Sequence, residues 1–428
     1  MRAPYNRRLP NSPNALAMPD VPVDSHLARS RFRQPCAEDL CVTTPSVTTE
    51  QNNQEVLDVF GKHRDLASLP VTENGTPIGL INRAIFMSQM SKPYHRELYN
   101  RKSCIAFMDK EPLVVDAAMS IEALTFKAVE YGEKALADGF IIARDGRFLG
   151  IGHGLQLMRV VADMQAEKNR QIMHSIDYAS TIQRSMLRPS REALAKTLGD
   201  ASLVWEPRDV VGGDFYHFAA FEDGWFAALA DCTGHGVPGA FLTLISSSIL
   251  IQAIEQRGPR DPGALLAAVN RGIKQMLGQI DGDDDTPGSN DGMDAAFFWF
   301  DNASRRLAFA GAKSALFVLQ PGDEEGEILD GERTGVGYVD TNLDFAWRNR
   351  VIQTQPGSVV FVTTDGLIDQ IGGPKEIAFG KRRIREAIRA SRHASAAQIN
   401  QAVLDQYRAW QGHHRRRDDL TFCCFRVQ

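Results

Sequence analysis

The sequence predicts a multidomain α+β protein on three observations. Its 428 residues exceed what one hydrophobic core usually organises, because domains cluster near ~100–200 residues. A strand–turn–strand pattern occurs twice in the first half at a fixed offset. In the second half, apolar runs of strand length alternate with helical stretches. Hydrophobic residues at 43% and charged residues at 24% exclude a chain that is disordered throughout, a collagen-like repeat and a coiled-coil rod.

Residues 1–45 combine Pro4, Pro10, Pro13, Pro19, Pro22 and Pro35 with arginines and little apolar periodicity. Such a segment buries too little surface to offset its ordering entropy, so a flexible basic tail is expected. It has no apolar run of the secretory type, and export is not expected.

In residues 46–160, Leu69–Ile81 aligns with Phe140–Gly152 at an offset of 71. Each copy reads as strand, turn and strand, with Asn74-Gly75 or Asp145-Gly146 supplying the positive φ of a two-residue hairpin. A helix precedes each hairpin, with apolar stripes at Val56, Val59 and Phe60 and at Ile121, Leu124 and Ala128; a second apolar helical segment follows. This α/β unit resembles a CBS-domain pair. The resemblance implies a regulatory role with an adenosine nucleotide held between the repeats. The segment Pro93–Arg101 departs from the CBS pattern, and a structural or dimerising role is the alternative.

Residues 161–190 are almost free of Gly and Pro, and Val161, Met164, Ile172, Ile176, Ala179 and Met186 recur in threes and fours. A connecting helix is predicted. It either pairs with a second copy, giving a homodimer, or packs alone on its own domains; Lys168 interrupts the stripe.

Residues 191–428 form an α+β domain. Strands are expected at Phe226–Asp231, Ala295–Phe300 and Val359–Thr363, and helices around Ala240–Gln256 and Gly263–Leu277. Four acidic sites share one local design, an apolar run ending in Asp beside Gly or polar turn residues. They are Asp214 after Val211-Gly-Gly, Asp231 before Cys-Thr-Gly-His-Gly, Asp365 before Gly366, and Asp418-Asp419. Carboxylates at strand ends have lost water on the core side and repel one another when gathered, so divalent cations stabilise such a set. Oxygen ligands select Mg2+ or Mn2+ over zinc, and the Cys232 carbonyl supplies a neutral one.

The motifs Val-Gly-Gly-Asp-Phe-Tyr (211–216), Asp-Cys-Thr-Gly-His-Gly-Val-Pro-Gly-Ala-Phe (231–241), Asp-Gly-Met-Asp (291–294), Phe-Ala-Gly-Ala-Lys (309–313), Thr-Thr-Asp-Gly-Leu-Ile-Asp-Gln (363–370), Gly-Gly-Pro-Lys (372–375) and Asp-Asp-Leu-Thr (418–421) occur in order. Together they resemble the SpoIIE/RsbU branch of the metal-dependent PPM phosphatases. The resemblance implies a β-sandwich of two antiparallel sheets flanked by helices, with two Mn2+ or Mg2+ ions at one edge and phosphoserine or phosphothreonine on a protein as substrate. It further implies a STAS-domain antagonist of a bacterial partner-switching pathway as that protein. Carried over by motif, Asp231 would bridge both ions, Cys232 would lend its carbonyl, and Asp214 would orient the attacking water. Asp365 and the Asp418–Asp419 pair would complete the second ion. Asp418 is favoured by its place in the motif, and Asp419 stays open.

Other residues have two readings. The family often carries an acid where this chain has His217, which is either a surface residue or a weak proton donor. His235 is either a turn residue or the acid for the leaving group, and Arg208 either pairs with the phosphate or does not. The acidic loop Asp281–Asp294 is either a solvated flap or a further metal site. Arg415–Arg417 either steer a phosphoprotein or offset the aspartates.

The balance of 48 Lys and Arg against 53 Asp and Glu leaves a net charge of −5 and no field that would draw the chain to nucleic acid or an anionic membrane. The apolar stretch Ala240–Ile254 falls short of a membrane span and is expected as a core helix. Six cysteines without framework spacing suit a reducing cytoplasm. The expected function is therefore a cytoplasmic protein serine/threonine phosphatase governed by its N-terminal half. The alternative is a non-catalytic scaffold that docks a phosphoprotein or senses a nucleotide.

Overall fold

The computed structural model describes residues 33–279 and 290–428. Most of the expected tail and the greater part of the acidic loop lie outside the described residues. The chain divides into two compact units between Lys168 and Asn169.

The first unit is built twice over. Its elements run β1 (Val47–Thr48), α1 (Asn53–Lys62), β2 (Ser68–Glu73), β3 (Thr76–Asn82), α2 (Arg83–Met90) and the short α3 (His95–Tyr99). The second copy follows as β4 (Val114–Asp116), α4 (Ile121–Tyr131), α5 (Glu133–Asp138), β5 (Phe140–Arg144) and β6 (Arg147–Gly152). In each copy a short strand runs parallel to the first arm of an antiparallel hairpin, giving sheets ordered β1-β2-β3 and β4-β5-β6. Asn74 and Gly75, like Asp145 and Gly146, adopt positive φ, which is the twist that a two-residue hairpin demands. Even the register shifts repeat, at Val71/Thr72 and Ile142/Ala143.

The tail expectation needs correction from Arg33 onward. Ala37 and Leu40 lie in a short 3-10 turn and are buried against Leu124 and Phe140, while Val42 bridges to Ile151. These few apolar side chains complete the core of the second copy, which offsets the cost of ordering a Pro-rich segment.

The connecting helix α6 runs from Gly154 to Thr197, well beyond the stretch read from the sequence, and it passes through Pro189. A proline inside a helix removes one backbone hydrogen bond and costs about 3 kcal/mol. Here Leu187 and Leu194, buried on either side of it, hold the helix to the second unit.

After α6 the second unit continues as β7 (Ala201–Glu206), β8 (Asp214–Ala220), β9 (Gly224–Cys232), α7 (Gly236–Arg257), α8 (Pro262–Met276), β10 (Met293–Asp301), β11 (Arg306–Ala312), β12 (Ala315–Leu319) and β13 (Glu327–Asp330). It closes with β14 (Arg350–Gln353), β15 (Val359–Thr363), α9 (Asp365–Ile368), β16 (Ile371–Gly372), β17 (Ile377–Ala378), α10 (Gly380–Ala390), α11 (Ala396–Gln411) and β18 (Leu420–Arg426).

Two five-stranded sheets, ordered β14-β11-β10-β9-β8 and β13-β12-β15-β18-β7, pair antiparallel throughout and pack face to face. The period-2 alternation of strands sorts the core into layers. Val360 and Val362 of β15 and Cys423 and Phe425 of β18 face the first sheet. Their neighbours Phe361, Phe422 and Cys424 face α10 and α11. Helices α7 and α8 cover the outside of the first sheet. The order is helix, sheet, sheet, helix, the predicted sandwich.

Helix α7 spans 22 residues and, among the described residues, is the one helix long and apolar enough to cross a membrane by length and composition. It outruns the apolar stretch because His235 and Gly258, the latter at positive φ, set its ends. Leu250, Ala253 and Ile254 are buried against the first sheet.

Candidate active site

The sandwich brings the separated acidic sites to one end. Asp214 opens β8 and Asp231 lies one residue from the end of β9, and the register makes them direct cross-strand partners. From the second sheet, Asp365 follows β15 and Asp418-Asp419 precede β18, two strands that pair with each other. The six ligand positions predicted from sequence therefore meet at one edge, as do Arg208 and His235.

Asp214 is 1% exposed. Its Oδ2 accepts from Thr364 Oγ1 at 2.8 Å, whereas its Oδ1 is buried without a hydrogen-bond partner. Thr364 in turn accepts from the Thr421 amide at 3.2 Å, which ties the two sheets together at the site. Burial, and then the nearby charge of Asp419, hold the Asp214 carboxyl well above the usual carboxylate range. Burial, followed by the charges of Asp214 and Asp365, does the same to Asp231. Asp365 is raised by burial and shares a hydrogen bond with Asp231. Burial also raises Asp419.

The Asp418–Asp419 pair divides its work. Asp419 is 2% exposed and accepts backbone amides of Arg208 and Gly213, so both its oxygens are spent on holding the loop that leads to Asp214. Asp418 is partly exposed, faces the charges of Asp365 and Asp231, and accepts the Asp419 amide. Asp419 thus shapes the loop, while Asp418 is turned toward the other carboxylates.

Glycine is required at two points of contact. A Cβ on Gly213 would lie 2.6 Å from the Cys232 carbonyl oxygen, and one on Gly366 would run into the Asp419 backbone. The close approach keeps the Cys232 carbonyl and the carboxylates on one small surface.

Among the described residues, no three acidic, His or Cys side chains already converge as a closed metal cage. The carboxylates approach in pairs instead: Asp214 with Asp231 by register, Asp231 with Asp365 by hydrogen bond, and Asp365 with Asp418 by charge. An unpartnered buried carboxylate oxygen, an all-oxygen donor set and four carboxyls strained toward protonation fit a divalent cation. They do not fit a softer metal.

Beside the carboxylates, His235 caps α7 without a capping bond of its own. Its Nδ1 stands 3.0 Å from both Arg208 Nη2 and Asp209 Oδ2. Arg208 also donates to the Arg417 carbonyl. His217, in contrast, lies an odd number of positions from Asp214 on β8, so it points to the other face. It packs near Phe226 in an apolar setting, and burial lowers its pKa to about 4. The surface reading and the proton-donor reading of His217 both give way to a neutral, partly buried side chain.

Three further residues support the site. Asp294 is the other cross-strand partner of Asp231, and it binds Lys313 at 3.4 Å and Tyr338 at 3.2 Å. Thr364 fixes Asp214. Gln183 of α6 is 1% exposed and clasps Gly212 on both sides, donating to its carbonyl at 2.7 Å and accepting its amide at 3.2 Å. Asp294 was signalled in the sequence by the Asp-Gly-Met-Asp motif and by the acidic loop that ends at it; for Gln183 no local signal existed.

A double antiparallel sandwich with carboxylates gathered at one end defines the PP2C class of protein phosphatases. The Stage II sporulation protein E (SpoIIE) family model matches residues 222–428. The SiaA-PP2C domain of Pseudomonas aeruginosa is 38% identical, with a TM-score of 0.55; the match covers 61% of this chain and 100% of that one. The PP2C phosphatase domain of SpoIIE from Bacillus subtilis, solved with a fragment of its regulatory domain, is 14% identical, with a TM-score of 0.43, covering 54% of this chain and 61% of that one. The RsbU and RsbW domains of a Mycobacterium tuberculosis protein are 19% identical, with a TM-score of 0.41 and coverages of 53% and 60%. No curated protein matches the chain. The chain belongs to the SpoIIE-type PP2C family and is a protein serine/threonine phosphatase.

Proposed function

We propose that the chain hydrolyses phosphoserine or phosphothreonine on a STAS-domain antagonist of a bacterial partner-switching pathway, with the help of two Mn2+ or Mg2+ ions. The observation that carries the metal-dependent reading is the cross-strand pair Asp214–Asp231, whose buried oxygen lacks a partner and whose charges face Asp365 and Asp418. Asp231, Asp214, Asp365, Asp418 and the Cys232 carbonyl would hold these ions. When bound, such cations lower the pKa of water toward neutrality and screen the phosphoryl oxygens.

The chain's own groups do the rest. Asp214, held by Thr364, presents its free Oδ1 to the attacking water. Arg208 offers its guanidinium fork to the phosphoryl oxygens. His235, bracketed by Arg208 and Asp209, returns a proton to the departing seryl oxygen, which is too basic to leave as an alkoxide.

The duplicated first unit, with its CBS-like hairpins, acts as the regulator and takes an adenosine nucleotide. Ile172 and Ile182, exposed on α6, give a second copy of the chain a surface on which to pair as a homodimer. All six cysteines are free, in keeping with a cytoplasmic protein.

The test is hydrolysis of p-nitrophenyl phosphate with Mn2+, comparing the natural chain with Asp231→Asn. The expected outcome is Mn2+-dependent turnover that falls by at least about a hundredfold in the variant. Equal activity in both, or turnover indifferent to the metal, would overturn the reading.

A further inference from the structure

A groove of about 730 Å3 opens beside the carboxylates, walled on one side by α6 and on the other by β7, β8 and the loop before β18. Arg184, Arg188 and Arg191 recur along one face of α6 at helical spacing and line it together with Arg416. Two of these four guanidinium groups are already engaged. Arg188 meets Glu192, and Arg416 is held by Glu206 and the Pro207 carbonyl. Arg184 and Arg191 have no carboxylate partner among the described residues. The two acids on the wall, Glu206 and Asp209, are committed elsewhere, to Arg408 and Arg416 and to Arg208 and His235. The floor is apolar, formed by Leu187, Trp205 and Val210.

The groove and the carboxylate cluster share a wall. Pro207 and Asp209 line the groove, while Arg208 between them donates its amide to Asp419 and reaches His235. Trp205, in the floor, donates its indole N–H to the Asp214 carbonyl at 2.9 Å. A polypeptide whose phosphorylated residue lies over the carboxylates therefore has its neighbouring residues beside the groove. Two cations with no carboxylate partner among the described residues, above an apolar floor, complement a segment that carries acids around an apolar side chain.

We propose that this groove docks an acidic segment flanking the phosphorylated residue of the substrate protein, with Arg184 and Arg191 as its specificity-determining contacts. The proposal rests on the phosphatase reading and extends it to the class of sequence that the enzyme selects. Neither arginine belongs to the catalytic cluster, so their loss leaves the chemistry intact and weakens only the extended substrate.

The experiment uses the full chain, natural and with Arg184→Glu and Arg191→Glu combined, and an Arg306→Glu control. Three probes are compared: p-nitrophenyl phosphate, a fluorescent phosphoserine peptide with Asp and Glu around a Leu, and the same peptide with Lys in their place. The natural chain is expected to prefer the acidic peptide, and the double variant to raise its KM by about tenfold at 0.1 M salt. The variant should hydrolyse p-nitrophenyl phosphate as before, and the control should match the natural chain. Fluorescence anisotropy of the acidic peptide, read without hydrolysis, should show the same loss of binding, so an inactive preparation still tests the groove. Equal KM and equal anisotropy in natural and double-variant chains overturn the proposal, as does a natural chain that prefers the Lys peptide. Loss of binding to phosphatidylserine vesicles with unchanged peptide binding also overturns it, since the groove would then serve a lipid surface.

Discussion

At the scale of single residues, the site is a collection of charges that the fold holds against their own repulsion. Asp214, Asp231, Asp365 and Asp419 all have pKa values raised by burial. Their folded values exceed the unfolded ones near 4, so the metal-free fold binds more protons than the unfolded chain once the pH passes about 4. The stability they contribute is present in acid and lost as the pH rises through the folded values. Bound cations remove that penalty. Mn2+ should accordingly raise the melting temperature more at pH 7.5 than at pH 5.0, and Asp231→Asn should raise that of the metal-free protein at pH 7.5 while shrinking the Mn2+ effect. Scanning fluorimetry of both chains checks this, and a metal shift independent of pH contradicts it. His217 acts with the opposite sign. Its folded value of about 4 lies below the usual 6.5, so the unfolded chain takes up a proton that the fold refuses. Stability is lost as the pH falls between those two values, by up to about 2 kcal/mol on going from pH 7.5 to 5.0. His217→Phe should flatten that limb of the urea denaturation midpoint against pH.

At the scale of elements, the decisive feature is that helix α6 reaches the catalytic loop through one side chain. Gln183 offers an amide whose donor and acceptor ends match the carbonyl and amide of Gly212, and it also donates to Thr243 of α7 at 3.2 Å. Gly212 and Gly213 then lead directly into Asp214, so the clasp sets where that carboxylate begins its strand. Gln183→Ala leaves buried backbone groups unpaired, at a cost of about 1–3 kcal/mol. It should also raise the Mn2+ concentration for half-maximal activity, because Asp214 loses its fixed starting point. A metal titration and a urea melt separate the two effects; an unchanged titration would mean that the clasp serves stability alone. None of this could be read from the sequence, where Gln183 lies inside the predicted connecting helix with no motif around it. The hairpins were legible because Asn-Gly and Asp-Gly carry their own conformational demand. The strands β9, β10 and β15 were legible because each is an apolar run buried on both faces. The end of α6 was misjudged at Pro189, since a local rule about proline was outweighed by the tertiary burial of Leu187 and Leu194. Thr364 escaped notice for a related reason: its bond to Asp214 joins residues 150 positions apart, and nothing nearby in the chain announces it.

At the scale of the whole molecule, each unit carries a core of its own making. The first is filled by Phe60, Phe86, Leu124 and Phe140 around the two hairpins, with Leu80, Ile141 and Ile151 joining one copy to the other. The second is filled by the aromatic residues between and outside the two large sheets, among them Phe226, Phe297, Phe361 and Phe422. Among the described residues, the clusters around the two hairpins belong to the first unit and those of the two large sheets to the second. Cooperative unfolding follows the contiguity of a core, so two cores give two transitions. Calorimetry of the full chain should resolve two endotherms. Only the one belonging to the second unit should move upward with Mn2+, because ligand binding stabilises the unit that holds the site. Leu124→Ala, which empties part of the first core, should lower the other endotherm by several degrees and leave the metal-responsive one in place. A single transition that shifts as a whole under both treatments would show that the two cores melt as one.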